Sequence, residues 1–533
     1  MNRKLFFTAL SLTALLVAPS LPALAAGASL PVPKGARPLN IAQFNTAIAS
    51  LNAARVAELD AALTMATIPQ TQQLFQNGKL TSEELVKYYL WRIKRYDLNK
   101  LNSVTELNAD ALVIARALDA ERAAGAVRGP LHGTVAVIKD NIGTGDKLHN
   151  TAGAIALMNA RSDRDAFIIK KLRDAGVIIL GKAGMTEWAR WLSDDMPEGW
   201  SAVNGLVKNP YGSNYLVWGS STGPAVAASA NLATFAIGTE TWGSLTAPAL
   251  VNSAFTLKPT LGIVSRDRII PITDAQDTAG PLTRNTIDLA LVMNALAGRD
   301  QNDYPTLIAR GVPSAFDQGL RGDRLKGMRI GTLPPAPEDE ALYGQTMAAL
   351  KSAGATVVEL PALPDISGDI FGPFLEIGNY GFKTGVNAYL QATNASIKSV
   401  AELVAFNAQD PANRVPYGQS YLETSASNTT TAAEYAATVQ AIRAQAQMQI
   451  NGLLDDNKLD MLAAMNDTLL TRINYPGAGY PALAMPAGFR ADGQPMGIMF
   501  VGTAMDDAKL IRAAYALEQV MNPWRPPDLK KWN

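Results

Sequence analysis

One lysine and three serines in this sequence have the type and setting for acyl-transfer chemistry. Lys139 closes the apolar run Val135 to Ile138 and is followed by Asp140-Asn141-Ile142. Ser220 and Ser221 stand after Gly219 and ahead of Thr222-Gly223, where a small-residue segment begins with Pro224 in its first turn. A missing N–H does no harm there. Ser244 follows the turn Thr239-Glu240-Thr241-Trp242-Gly243. Both serine groups sit on loops that open helices, where unpaired backbone N–H groups stabilise negative charge. Taken alone, Gly219 to Gly223 also fits a glycine-rich packing turn, and Lys139 a solvated strand end. A phosphate-binding loop lacks its Gly-Lys-Ser/Thr ending here.

Composition narrows the chemistry further. The chain has no cysteine, so a thiol nucleophile is excluded. Its two histidines, His132 and His149, are too few for a His-based metal cluster. A Ser-His-Asp triad would have to use one of them, and His132, in a turn ahead of a strand, reads as structural. Acidic and basic residues balance to zero net charge, which gives nucleic acid or an anionic membrane no purchase.

The elements that must position these residues alternate between helix and strand. Thr81 to Asp97 is an amphipathic helix, capped by Thr81 or Ser82 with glutamates in its first turn. Asn108–Ala124 and Phe167–Ala175 are helical, Val135–Ile138 and Val177–Leu180 are strands. Thr234–Ile237 predicts a buried strand ended by Gly238. The alternation returns in Met328–Leu333, Asp339–Ala353 and Thr356–Leu360, and again in Thr431–Leu454 and Met461–Ala464. This pattern is that of an α/β fold. Residues 367–431 are polar and mostly helical and read as a cap over the site. At the N-terminus, Arg3 and Lys4 precede the apolar run Leu5–Val17, and Ala23-Leu24-Ala25 offers a cleavage site before Ala26. Residues 1–25 therefore read as a secretory signal peptide and the mature protein as secreted or periplasmic. No later segment reaches the ~20 apolar residues a membrane helix needs.

Three blocks in order, Lys139-Asp140-Asn141-Ile142, the serine stretch from Gly219 to Ser244, and Gln276-Asp277-Thr278-Ala279-Gly280-Pro281, resemble the amidase signature family. The words ANLA, GTET, LKPT and GIVSRD resemble its secreted bacterial peptide-amidase-like members most. The resemblance extends from about Leu80 to Arg525 and implies one domain, residues 26–533, with a single large mixed β-sheet covered by helices on both faces. It implies that Ser244 is the nucleophile, Ser220 the bridging serine after a cis Gly219–Ser220 bond, and Lys139 the base, with Ser221 in support. The backbone N–H groups of Thr241, Trp242, Gly243 and Ser244 are the implied oxyanion hole. Burial at a strand end disfavours the charged form of a lysine, which is how such a residue serves as a base. No metal or other cofactor is implied.

The departures from the family pattern bear on substrate. Trp218 replaces a small residue, and Trp242 stands where peptide amidases carry aspartate. Arg190 lies in a segment that shapes the substrate side. Five of the eight tryptophans (Trp188, Trp191, Trp200, Trp218 and Trp242) fall between residues 188 and 242. As core fillers they would say nothing of substrate. With Trp218, Trp242, Trp191 and Arg190 in its wall, the pocket would be narrow, flat and apolar. The reading is an exported serine amidohydrolase acting on a small linear amide. Aryl amides, carbamates (urethanes) and esters are the alternative within the same chemistry. A glutamine-amide transferase subunit shares the motifs, but the export signal argues against it, and a dead binding scaffold conflicts with the intact lysine and serines.

Overall fold

The computed structural model describes residues 37–313 and 315–532; the expected signal peptide lies outside them. In chain order the strands are β1 (Val104–Leu107), β2 (Val135–Lys139), β3 (Ile178–Ala183), a small hairpin of β4 (Trp200–Ser201) and β5 (Gly205–Leu206), β6 (Phe235–Glu240), β7 (Phe255–Lys258) and β8 (Thr278–Thr283). They continue with β9 (Arg329–Thr332), β10 (Thr356–Glu359), β11 (Met461–Met465), β12 (Ala482–Phe489) and β13 (Pro495–Val501). All but the hairpin form one eleven-stranded sheet in the order β1-β3-β2-β6-β8-β7-β12-β13-β11-β9-β10. Strands β3, β2 and β6 are parallel, as are β11, β9 and β10, while β6 through β12 and β13 pair antiparallel. The expected single mixed sheet is therefore observed.

Both faces of the sheet are buried, so its central strands are apolar throughout rather than alternating. In β2, Val135 and Val137 join one core layer with the helix Thr222–Ser229, while Ala136 and Ile138 join the other with the helix Phe167–Asp174. Strand periodicity then decides where the lysine goes. Lys139 continues the Val135–Val137 face and points toward the helix that carries the serine pair.

Several boundaries differ from the sequence reading; β3, expected to end at Leu180, runs on to Ala183. β6 does not stop at Gly238 but runs on to Glu240. Gly238 is there for close approach, because a Cβ on it would lie 2.7 Å from Ser221 Oγ. The helix expected to run to Asp97 is α-helical only from Ser82 to Arg92, with Thr81 accepting the Glu84 N–H, and then widens into a π-type turn with Leu98 and Asn99 outside helical geometry. The cap region is helical as expected, in Ser367–Gln391, Val400–Ala408, Pro411–Arg414 and Ser420–Ser427. Among the described residues, no helix is long and apolar enough to cross a membrane.

Candidate active site

Lys139 is fully buried and its amine lies 2.7 Å from Ser220 Oγ, 2.9 Å from Ser221 Oγ, 2.9 Å from Thr239 Oγ1 and 3.2 Å from the Thr239 carbonyl. Burial pushes its pKa down from 10.5 to about 7, against the opposing pull of the Asp277, Glu240 and Glu198 carboxylates. A neutral amine has two N–H donors and one lone pair.

The two serines differ in their hydrogen bonds. Ser221 Oγ accepts from the Thr239 N–H at 3.1 Å and from Lys139, which fills both of its lone pairs. Its own proton goes to the Thr239 carbonyl at 2.8 Å. Ser221 has no proton left for the lysine, whereas Ser220 does. The Gly219–Ser220 peptide is cis, as the family resemblance implies. The two serine loops are tied together by the Ser221 N–H, which donates to the Ser244 carbonyl at 3.1 Å.

Ser244 is 7 % exposed, and among the described residues its hydroxyl has no hydrogen-bond partner. The turn before it is shaped by Glu240, which the sequence reading did not single out. Its carboxylate, 1 % exposed, accepts from the N–H groups of Leu245 (2.8 Å) and Thr246 (3.0 Å) and from the Tyr475 hydroxyl (3.0 Å). With those two donors satisfied, the N–H groups of Thr241, Trp242, Gly243 and Ser244 remain without partners among the described residues. Gly243 permits the turn on two counts. Its φ is +82°, and a Cβ on it would lie 2.7 Å from Leu470 Cδ2. Thr241 Oγ1 donates to Asp277 at 2.5 Å, and Asp277 also accepts from the N–H groups of Ile272 (2.8 Å) and Thr273 (3.1 Å). Burial raises the Asp277 carboxyl to about 6. Thr239, Thr241 and Asp277 line a cavity of about 190 Å³ whose wall includes Asn141 and Ile270. Their signal was present in the words GTET and QDT, although a short word does not say which of its side chains does the bonding.

The aromatic residues of the expected pocket wall take different places. Trp218 and Trp242 are both half-buried and pack against different core layers. The rings facing Trp242 lie on the helix Ser367–Gln391, namely Phe374 at 5.0 Å and Phe371 at 5.9 Å. Trp191 is buried, stacks on Tyr421 at 5.3 Å and donates its indole N–H to Ser425 at 2.9 Å, so it ties down the helix Ser420–Ser427. Arg190 is ion-paired to Glu198 at 3.0 Å. His132 is structural. Its Nε2 lies 2.9 Å from the Leu118 carbonyl and its Nδ1 accepts the Arg128 N–H at 3.3 Å.

The sequence profile of the amidase family matches residues 84–465. The chain is 34% identical over 478 residues to a probable amidase of Arabidopsis thaliana, covering 87% of this chain and 91% of the relative. Among solved structures, an amidase family protein from Bacillus anthracis str. Ames superposes with a TM-score of 0.87 at 36% identity, covering 92% of this chain and 97% of its own. The native peptide amidase from Stenotrophomonas maltophilia superposes with a TM-score of 0.83 at 37% identity, covering 87% and 99%. The profile, the relatives and the eleven-stranded sheet agree: the chain belongs to the amidase signature family and is a hydrolase of carbon–nitrogen bonds in amides.

Proposed function

We propose that this amidase is an exported serine hydrolase of small linear amides, working through an acyl-enzyme on Ser244 with Ser220 and Lys139 as its proton relay. The observation that carries this reading is the 2.7 Å contact between the buried Lys139 amine and Ser220, the one serine of the pair with a proton to give. Neutral Lys139 takes the Ser220 proton while Ser220 takes that of Ser244, and Ser244 Oγ attacks the amide carbonyl. The unpaired N–H groups of residues 241–244 receive the oxyanion. The relay then reverses and protonates the departing amine, which breaks the C–N bond. Water enters by the same path, loses its proton to the relay and releases the acid. Export rests on residues 1–25, with their charged start and apolar run.

The peptide amidase among the structural neighbours supports a peptide or amino-acid amide as substrate. A second reading, an aryl amide, carbamate or ester, is favoured by the half-buried Trp242 with Phe371 and Phe374 beside the Ser244 turn. The Ser244→Ala variant tests the shared mechanism. It should fold as the parent does and lose turnover on every substrate of a panel of amino-acid amides, anilides and carbamates. Rates within about threefold of the parent would leave only ~0.7 kcal/mol of the barrier on Ser244 and remove the assignment.

A further inference from the structure

We infer that Glu198 is a positioning residue for Ser220, acting through Thr186; this rests on the reading of Ser220 as the relay serine. Thr186 follows β3, and its backbone N–H donates to the Ser220 carbonyl at 3.2 Å. Its hydroxyl is fixed from both sides, accepting the Gly199 N–H at 2.9 Å and donating to Glu198 Oε2 at 3.2 Å. The other oxygen of Glu198 receives Arg190 Nε at 3.0 Å. A chain of contacts therefore runs from Arg190 through Glu198 and Thr186 to the backbone of Ser220.

The packing at Gly219 shows how close this chain lies to the relay. A Cβ on Gly219 would sit 2.6 Å from Glu198 Oε2 and would also strike Thr186 Oγ1. Gly219 must be glycine because the Thr186–Glu198 pair occupies the space a side chain would need. Arg190 reaches Glu198 from an unusual backbone. Trp188, Ala189 and Arg190 are three successive left-handed residues, with φ of 50°, 56° and 77°. Such conformations each cost about 1–2 kcal/mol outside glycine and are kept where surrounding contacts hold them.

Glu198 also contributes charge. Three carboxylates favour the proton on Lys139, those of Asp277, Glu240 and Glu198. Asp277 and Glu240 are sealed by hydrogen bonds, whereas the Glu198 side chain is 23 % exposed and has Arg190 as its counter-ion. Position and charge are separable by substitution. Glu198→Ala removes both, and Glu198→Gln keeps an oxygen for the Thr186 hydroxyl while removing the charge.

The experiment uses the full chain and one good substrate, with Ser244→Ala as control. Glu198→Ala should lower kcat about tenfold or more while KM stays within about twofold. Glu198→Gln should recover kcat to within about threefold of the parent. Both should move the acid limb of the kcat/KM profile to lower pH, because one carboxylate facing Lys139 is gone. Thr186→Val should reproduce the kcat loss without the pH displacement. An unchanged kcat in Glu198→Ala, a loss confined to KM, or a Gln variant as slow as the Ala variant would each overturn the inference. If Ser244→Ala is inactive while Glu198→Ala is unaffected, only this inference fails. An active Ser244→Ala would remove the reading beneath it.

Discussion

Consider Lys139 replaced by methionine, a change that keeps the length and volume of the side chain and deletes its amine. Folding lowers the pKa of this group from 10.5 to about 7. Because the folded value lies below the unfolded one, the unfolded chain takes up the proton first as pH falls through 10.5. The folded state is penalised progressively from there down to about pH 7, and the penalty is constant below, where both states carry the proton. At neutral pH it amounts to about 5 kcal/mol. Against this stand the lost hydrogen bonds. Ser221 keeps its bonds to Thr239, and Thr239 Oγ1 keeps the Asn141 amide at 3.1 Å, so Ser220 is the hydroxyl left alone. An orphaned buried hydroxyl costs about 1–3 kcal/mol. The Lys139→Met variant should therefore be inactive and yet more stable than the parent by about 2–4 kcal/mol at pH 7. Denaturant unfolding of both proteins, followed by tryptophan fluorescence at pH 7, 8.5 and 10, measures the difference. The gap should close by about 1.4 kcal/mol per pH unit above 7, while ionisations common to both proteins cancel. A gap independent of pH, or a methionine variant less stable at pH 7, would refute the reasoning. The same lysine should give the parent an acid limb in kcat/KM near pH 7.

Two further substitutions probe the turn before Ser244. Trp242→Asp keeps the backbone donors but puts a charge against Phe371 and Phe374; an aromatic pair is worth about 0.5–1.5 kcal/mol beyond its buried area. Hydrolysis of an anilide should fall about tenfold relative to an amino-acid amide, and equal losses on both would make Trp242 part of the scaffold. Glu240→Gln turns a doubly accepting carboxylate into an amide facing the Leu245 and Thr246 N–H groups. It should lower both Tm and kcat, the latter about tenfold, with KM little changed; kcat within twofold of the parent would mean the turn holds its shape without that charge.

The alternation of helix and strand was legible from local pattern, whereas the single mixed sheet and the meeting of Lys139 with Ser220, 81 residues further along the chain, were legible through the resemblance of the three blocks to the family. An apolar run ends in a lysine, and a glycine-bracketed serine pair opens a helix. What escaped the sequence depends on distant parts of the chain. Glu240 matters through Tyr475, Glu198 through Thr186 and Gly219, and Trp242 through Phe371 and Phe374 of the helix Ser367–Gln391. Gly238 misled for a physical reason. Glycine ends strands and also admits close neighbours, and only the fold shows that Ser221 is that neighbour. The tryptophans stayed open for a similar reason, since a large ring looks the same in sequence whether it lines a cleft or, like Trp191, packs between helices.

The order of strands in the sheet has a consequence for how the protein can be made. β7 comes from the middle of the chain, and its neighbour β12 comes from near the end. β12 and β13 are the bridge between the β1–β8 side and the β9–β11 side. Until they arrive, β7 and β11 each present a bare edge of unpaired N–H and C=O groups, on strands that are buried throughout in the folded chain. Pairings between such distant segments form late, because loop closure must precede them. The incomplete chain is therefore the species most exposed to association with other copies of itself. Chains truncated ahead of β12 should collect in aggregates, and full-length chains should need protection through the same interval.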